Sequence, residues 1–422
     1  MKIKTIALVL SLTAGAYAQA DDLRMSWWGG NSRHAATNEA VDTFEASSGV
    51  KVKTEFTGWG GHLERLTTQI AGNTEPDVMQ TNWNWMPIFS RDGQGFKDLN
   101  DYKHIIDLSN FDPAALELAT NNGRLNGIPI SMTARIFYYN EYLWAKAGLA
   151  LPDTWEALFA AGPQFKEQLG EQFFPLVVEG RDVLAMTRSY FVQKYGIPMI
   201  DEKNKTFAYS DEQLVAFFQF YADLVEQHVV PSSKYIASFG AANLYEHKPW
   251  INGEWGGLYM WNSAINKYND NLKPPMTMAL GQYPFLTGAD DSGLFYKPAQ
   301  MFSIGKNSNN AEEAARLINF ILNEPEGVKK MALARGVPLS STAMQTLIEE
   351  GQINNNDLSV NGLAQISALP RKLGTSPFFE NPKILGLYQE LIEKMDHGSI
   401  TVAEAAKEFK RRGDRILRKA MR

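Results

Sequence analysis

The segment at residues 126–140, NGIPISMTARIFYYN, has the most informative pattern of hydrophobic and polar positions in the chain. Its side chains alternate with a period of two, which predicts a β-strand. Apolar groups lie on both faces, as is typical of a strand in a sheet that is covered on both sides. One face also carries Ser131, Thr133 and Arg135. Two interpretations stay open, because this face either lines a ligand cleft or belongs to an edge strand exposed to solvent.

Strand and helix patterns alternate before this segment. The stretches at 23–28, 50–56 and 76–79 predict strands, and the apolar spacing between them predicts two amphipathic helices. This β-α-β-α-β order predicts a parallel sheet. Since ligands bind beyond the carboxyl ends of such strands, we expect residues 28–34 (WGGNSRH) and 82–85 (NWNW) to lie together at one rim.

Residues 1–20 have the composition of an export signal. Lys2 and Lys4 precede a short apolar run, and Ala18 and Ala20 end two small-x-small cleavage sites. No later stretch approaches the roughly 18 consecutive apolar residues that a membrane span needs, so we expect none. The formal net charge is −6, or −8 once Lys2 and Lys4 are removed, which argues against nucleic-acid and acidic-membrane partners.

Most catalytic signatures are missing from the sequence. It has no cysteine, which excludes disulfides, thiolate metal sites, a cysteine nucleophile and a lipidated cysteine. The six histidines are scattered, and no HExxH, GxSxG, P-loop or dinucleotide glycine motif occurs. We therefore expect no metal and no cofactor. The 47 acidic residues leave open a carboxylate pair for glycoside hydrolysis.

The segment at 127–140, together with 147–149 (AGL) and 152–155 (PDTW), resembles the family 1 extracellular solute-binding proteins, the maltose-binding-like receptors of ABC importers. The resemblance implies an α/β periplasmic binding protein fold, with two lobes of sheet flanked by helices joined by a multi-strand hinge. Residues 127–140 would be the first crossing, with later crossings at 299–304 and 336–340. The implied division is a signal peptide at 1–20, a first lobe at 21–130 plus 300–338, and a second lobe at 131–299 plus 339–422.

Nine stretches narrow the resemblance to the branch of this family that binds oligogalacturonides, the uronate fragments of pectin: SWWGGNSRH, TQIAG, EPDVMQTNWNW, PISMTARIFYYN, KPWINGEWGG, MWNS, GLFYKPAQM, GVPLSS and GDRILRKAMR. This implies a monomeric, non-enzymatic receptor that delivers a uronate oligosaccharide to an inner-membrane ABC permease. Without a cysteine, this chain has no site for a lipid anchor. An exported receptor without an anchor is retained by the cell only if a second membrane encloses it, so we expect a Gram-negative periplasm. A receptor for neutral oligosaccharides and a secreted pectin-active lyase remain the alternatives.

The ten tryptophans are candidate sugar-stacking rings. Trp83 and Trp85 stand beside asparagines in a short polar segment, and Trp261 matches a sugar-stacking position in the family. These three are predicted to bind ligand. We expect Trp27, Trp144 and Trp155 to be core residues, while Trp250 and Trp255 fit either role.

Five basic side chains adjoin the segments expected near the cleft. They are Arg33, His34, Arg135, Arg181 and Lys297. Several donors with few acceptors favour a carboxylated sugar, because guanidinium groups match carboxylates with two parallel hydrogen bonds. Each of these residues has an alternative role as a surface residue or a partner in an ion pair between the lobes.

Overall fold

The protein is described here by a computed structural model that covers residues 22–240, 243–354 and 356–421. The expected signal peptide at 1–20 lies outside the described residues. The strands are β1 (Leu23–Trp28), β2 (Val52–Thr57), β3 (Val78–Thr81), β4 (Thr120–Asn121), β5 (Arg124–Leu125), β6 (Ile128–Asn140), β7 (Ile200–Asp201), β8 (Thr206–Phe207), β9 (Gly257–Trp261), β10 (Met278–Leu280) and β11 (Tyr296–Ile304).

The α-helices are α1 (Asn31–Ser48), α2 (His62–Ala71), α3 (Met86–Phe89), α4 (Pro113–Leu118), α5 (Glu141–Lys146), α6 (Trp155–Leu169), α7 (Gly180–Tyr195), α8 (Asp211–Glu226), α9 (Ser233–Ala237), α10 (Lys248–Ile251), α11 (Ile265–Asn269), α12 (Ala311–Asn323), α13 (Pro325–Met331), α14 (Ser341–Glu349), α15 (Leu358–Ala368), α16 (Pro382–Asp396) and α17 (Val402–Ala420). Short 3-10 helices lie at Trp83–Trp85, Leu99–Tyr102, Leu108–Asn110, Leu244–Glu246, Asn262–Ala264 and Pro377–Glu380. Within the described ranges, none of these helices has both the length and the apolar character needed to cross a bilayer.

The main sheet has the strand order β10-β6-β11-β3-β1-β2, with β9 also pairing with β6. Strand β1 is parallel to β2 and β3, which confirms the parallel opening predicted from the sequence. Strand β11 then runs antiparallel to both β3 and β6. The sequence pattern at residues 174–178 also predicts a strand, and this prediction is wrong for a regular strand, since only isolated bridges from Phe174 and Val177 form there. Pro175 explains the difference, because proline cannot donate to a strand ladder.

Strand β6 connects the two lobes of the molecule. Its first half pairs with β11, and its second half pairs with β9 on one side and β10 on the other. All 13 of its residues are buried. The interpretation of β6 as an edge strand with a solvated face is therefore wrong, because none of its residues is exposed.

Helices cover each part of this sheet. Helices α12 and α13 pack against α1, and α14 packs against α12 and α13. Around the other lobe, α7 and α8 contact each other, and the long C-terminal helices α16 and α17 pack against them. Helix α17 begins with a capping box in which the side chains of Thr401 and Glu404 each accept a backbone N–H of the other residue. This cap fixes the start of a helix whose far end lies near the cleft.

A third segment of chain reaches β6 from the helices of the first lobe. The N–H of Leu339 donates to the carbonyl of Ile130 at 3.0 Å. The hydroxyl of Ser131 donates to the carbonyl of Arg335 at 2.7 Å. Gly336 between them has φ 86°, in the left-handed region that favours glycine. The crossing predicted at 336–340 thus lies against the start of β6.

Candidate functional site

A cleft of about 560 Å³ lies where β6, β9 and β11 meet. Arg135 of β6 is directly opposite Trp261 of β9, and Thr133 of β6 is opposite Lys297 of β11. Thr133 and Arg135 are two residues apart, so both side chains lie on one face of β6. Strand register thus places two cations and a large aromatic ring at the floor of the cleft.

The cations of the floor belong to a buried ion cluster. Nε of Arg135 lies 2.5 Å from Oδ1 of Asp182, and its Nη1 lies 3.7 Å from Oε1 of Glu380. The ammonium group of Lys297 donates to the second carboxylate oxygen of Glu380. Nε of Arg181 lies 3.7 Å from Oδ1 of Asp182. Arg181 differs from the other members because its side chain is 53% exposed.

Burial and the neighbouring cations shift the pKa of Glu380 in opposite directions. Burial raises the pKa of this carboxyl, but the charges of Lys297, Arg135 and Arg181 outweigh it and hold the pKa below its usual value. Burial lowers the pKa of the Lys297 ammonium group, against the effect of Glu380. Glu380 is therefore ionised at neutral pH, and the cluster contains three cationic residues and two carboxylates.

Two polar atoms of this cluster lack hydrogen bonds within the described part of the chain. They are Nη1 of Arg135 and Oδ2 of Asp182, both buried. A buried polar group without a partner is costly, and its presence calls for an explanation. A ligand that accepts a hydrogen bond in the cleft would satisfy the free guanidinium N–H.

Aromatic rings form the facing wall. The ring centroids of Trp28 and Trp85 are 5.2 Å apart, and Trp59 stacks on Trp85 at 5.6 Å with an interplanar angle of 24°. His62 lies behind them, 5.3 Å from Trp28 and 6.0 Å from Trp85. Trp59 is 56% exposed, whereas the other two tryptophans are buried except at the cleft. The wall thus offers indole surface to a ligand.

On the floor, Trp261 is accompanied by both cations. The guanidinium carbon of Arg135 lies 3.9 Å from the ring centroid, and the ammonium group of Lys297 lies 5.2 Å from it. Such cation–π contacts fix the ring in place. Trp261 remains partly exposed and lines the cleft.

The structure brings five of the eight sequence-predicted ligand residues to one cleft, namely Trp85, Arg135, Arg181, Trp261 and Lys297. The other three, Arg33, His34 and Trp83, lie outside its lining. Nε of Arg33 donates to the carbonyl of Ala334 at 2.9 Å, and Nδ1 of His34 accepts the indole N–H of Trp27 at 3.0 Å. The indole N–H of Trp83 donates to the carbonyl of Leu118 at 2.6 Å.

The remaining tryptophans are core residues. Trp27, Trp144 and Trp155 are at most 1% exposed, in agreement with the prediction. Trp250 and Trp255, which fitted either role, have exposures of 0%. The sequence therefore identified Trp27, Trp144 and Trp155 correctly as core residues.

Three residues of the site were not predicted: Trp59, Asp182 and Glu380. Trp28 belongs to the segment 28–34 that was expected at the rim, although it was not among the predicted ligand residues. The two carboxylates gave no signal, because nothing distinguishes them in sequence from the other acidic residues. Trp59 did carry a signal in the sequence, since it stands among the glycines at 58, 60 and 61. A large ring in a glycine-rich loop has no helix or strand face through which to reach the core. Among the described residues, no group of three or more His, Cys, Asp or Glu side chains could hold a metal ion.

A two-lobed α/β fold with an aromatic and charged cleft at the hinge strands defines a solute-binding protein of the periplasmic type. Residues 29–328 match the bacterial extracellular solute-binding protein family, and the chain belongs to this family. Solved structures agree with the assignment over nearly the whole chain.

One similar structure is a periplasmic oligogalacturonide-binding protein from Yersinia enterocolitica in complex with saturated digalacturonic acid. It is 58% identical, its TM-score is 0.90, and the match covers 95% of this chain and 100% of that one. A periplasmic solute-binding protein from Pectobacterium atrosepticum is 46% identical with a TM-score of 0.92, over 95% and 100% of the two chains. A de novo designed cysteine esterase is also similar, with 56% identity and a TM-score of 0.89 over 95% and 99%.

Proposed function

We propose that this protein is a periplasmic receptor that captures oligogalacturonides and delivers them to an ABC transporter of the inner membrane. The observation that carries the proposal is the group of Arg135, Arg181 and Lys297 beside Trp261 in one cleft. The digalacturonic acid complex of the Yersinia enterocolitica relative supports the same class of ligand.

The charge of the ion cluster suits one carboxylate of a uronate. Within ion-pair distance, its three cationic residues share only the two carboxylates of Asp182 and Glu380. Glu179 acts on Arg181 as well, but only as a more distant charge without an ion pair among the described residues. A further carboxylate of the lining, Glu64, is exposed and therefore screened by solvent. Arg181 is half-exposed and has the least complete pairing, so it is our first candidate for a direct contact with the ligand.

The tryptophans suit the rings of the sugar. One face of a hexuronate carries several C–H groups, which pack on an indole, while its hydroxyl and carboxyl groups extend sideways to polar partners. Trp261 on the floor and the pair of Trp59 and Trp85 on the wall provide such surfaces at two places. We infer that the cleft binds at least two sugar rings, one near each aromatic surface.

We propose that the lobes close around the ligand by bending at the three crossings, β6, β11 and residues 336–340, and that the receptor is a monomer. The boundaries at 130 and 299 remain our proposal for the first two crossings, and the sequence places the third boundary at 338. At the third, α14 packs against α12 and α13, which favours a division after α14 at 349.

We propose binding without catalysis. The esterase relative is a designed protein, and this chain has no cysteine to act as its nucleophile. Incubation with polygalacturonate, followed by absorbance of unsaturated products, tests the lyase alternative. Accumulation of such products with purified protein would contradict a receptor role.

The charge proposal is tested by calorimetric titration with digalacturonate and with its carboxyl-reduced counterpart. We expect the wild type to bind the acid at least tenfold more tightly, because a charge-assisted hydrogen bond contributes about 1.5 to 3 kcal/mol. Arg181→Gln should lose most of this preference, whereas Lys194→Gln, an exposed cation at the other end of α7, should keep it. Equal affinities of the wild type for both sugars would replace the uronate proposal with a neutral-oligosaccharide receptor.

A further inference from the structure

A second groove continues from the cleft toward the end of α17. It has a volume of about 460 Å³ and shares Asn84 and Pro382 with the lining of the cleft. One wall consists of residues after β3, and the other of residues around the start of α16 and the end of α17. The groove is therefore an open extension of the proposed sugar site.

The lining of this groove is basic. It contains Arg91, Lys383, Arg415 and Lys419, and no carboxylate of the described residues lines it. All four cations are exposed, and within the described residues none forms an ion pair. Helix α16 begins at Pro382, so the positive end of its dipole adds to the same wall. This concentration of positive charge stands out in a chain of net charge −6.

The floor between the cations is apolar. It is formed by Pro87, Ile88, Pro377, Phe378 and Ile416. Ile88 is 54% exposed, so its side chain is available to a ligand in this groove. Apolar surface flanked by cations matches a chain of sugar acids, in which C–H faces alternate with carboxylates.

We propose that this groove binds the part of a longer oligogalacturonide that extends beyond the cleft. The inference rests on the proposed function and specifies its ligand further. A linear galacturonate oligomer carries one carboxylate on every residue, so a chain that fills the cleft presents additional negative charges to the groove. Affinity should therefore rise with chain length, and this length-dependent part should weaken with added salt.

The test uses two double variants of α17. Arg415→Gln with Lys419→Gln removes two charges from the groove, and Lys407→Gln with Arg418→Gln removes two exposed charges of the same helix outside it. Each protein is titrated with digalacturonate and with hexagalacturonate at low ionic strength. We expect the groove variant to bind the hexamer roughly three- to tenfold more weakly and the dimer unchanged. The control variant should match the wild type with both ligands.

Three results would overturn the inference. Hexamer binding equal to that of the wild type would show that the groove makes no contact with sugar. If the groove and control variants lose the same affinity, only the overall charge of the protein is involved. Intact binding with slower uptake by cells would identify the groove as a permease contact. If the wild type binds neither galacturonate, the proposed function itself fails, which is a distinct outcome.

Discussion

At the scale of single residues, the NWNW segment shows why neighbouring tryptophans have different roles. Trp83 and Trp85 belong to one 3-10 helix, in which residues two apart point in different directions. Trp83 therefore packs into the core, and Trp85 joins Trp28 and Trp59 at the cleft. Both rings stand next to asparagine, so sequence alone could not separate them.

Trp59 provides a sharp test of the aromatic wall. Trp59→Ala should weaken digalacturonate binding by roughly tenfold and leave thermal stability nearly unchanged, because 56% of the side chain is already exposed. Trp155→Ala, at 1% exposure, should instead lose about 3 to 5 kcal/mol of stability through the cavity it leaves. Calorimetric titration and urea unfolding of both variants check this. A large stability loss in Trp59→Ala would contradict its assignment to a ligand surface.

His62 behind the aromatic wall predicts a pH dependence. Burial, with a smaller effect of the charge of Arg65, lowers the pKa of His62 to about 4, although the hydrogen bond to the carbonyl of Gln80 partly offsets the shift. In the unfolded chain the pKa is about 6.5, so the unfolded state binds the proton more strongly. The contribution of His62 is therefore complete above pH 6.5 and decreases as pH falls toward 4, by about 3 kcal/mol.

Urea unfolding at pH 7, 5.5 and 4 measures this effect. The wild type should lose more stability across the series than His62→Gln, by up to about 3 kcal/mol. His104→Gln, which changes an exposed histidine, should follow the wild type. If the free energy of unfolding falls with pH by the same amount in all three proteins, His62 does not control the acid sensitivity.

At the scale of elements, periodicity predicted the strands and helices that reappear in the structure. Strands β1, β2, β3 and β6 lie within a few residues of their predicted limits. The ion cluster could not be predicted, because Arg135, Asp182 and Glu380 come from three distant elements and meet only after folding. Hydrophobic pattern specifies which face of an element is buried, but it does not specify which polar side chain will be its partner.

The segment that crosses to β6 at Gly336 should be sensitive to a single methyl group. Gly336→Ala is expected to cost about 1 to 2 kcal/mol, because φ is 86° and the new Cβ would lie 3.2 Å from Oγ of Ser131. Gly386→Ala, in the interior of α16 with open space around it, should stabilise by about 0.5 to 1 kcal/mol. Thermal melts compare the two. Equal stability of Gly336→Ala and wild type would show that the crossing adapts freely.

At the scale of the whole molecule, the two lobes touch beside the cleft as well as being joined by the hinge strands. Nη2 of Arg91, after α3, donates to the carbonyl of Ala420 at the end of α17 at 3.3 Å. This contact joins the proposed first lobe to the proposed second lobe. We therefore expect an equilibrium between open and closed lobes that the ligand shifts toward closure.

Small-angle scattering tests this equilibrium. Saturating digalacturonate should reduce the radius of gyration, whereas the carboxyl-reduced sugar at the same concentration should not, because it cannot pair with the cluster of Arg135, Arg181 and Lys297. An unchanged radius at saturation with the acid would indicate lobes that do not move.

The exposed stack of Trp59 on Trp85 also gives the protein an internal optical reporter. An indole in water emits at longer wavelength than one covered by a ligand, and Trp59 is half in water. Its ring lies 5.6 Å from Trp85 and 5.2 Å from Trp28, so excitation is shared among the three rings. A sugar that covers this stack should shift the intrinsic fluorescence to the blue, which makes occupancy of the cleft visible in real time without any dye.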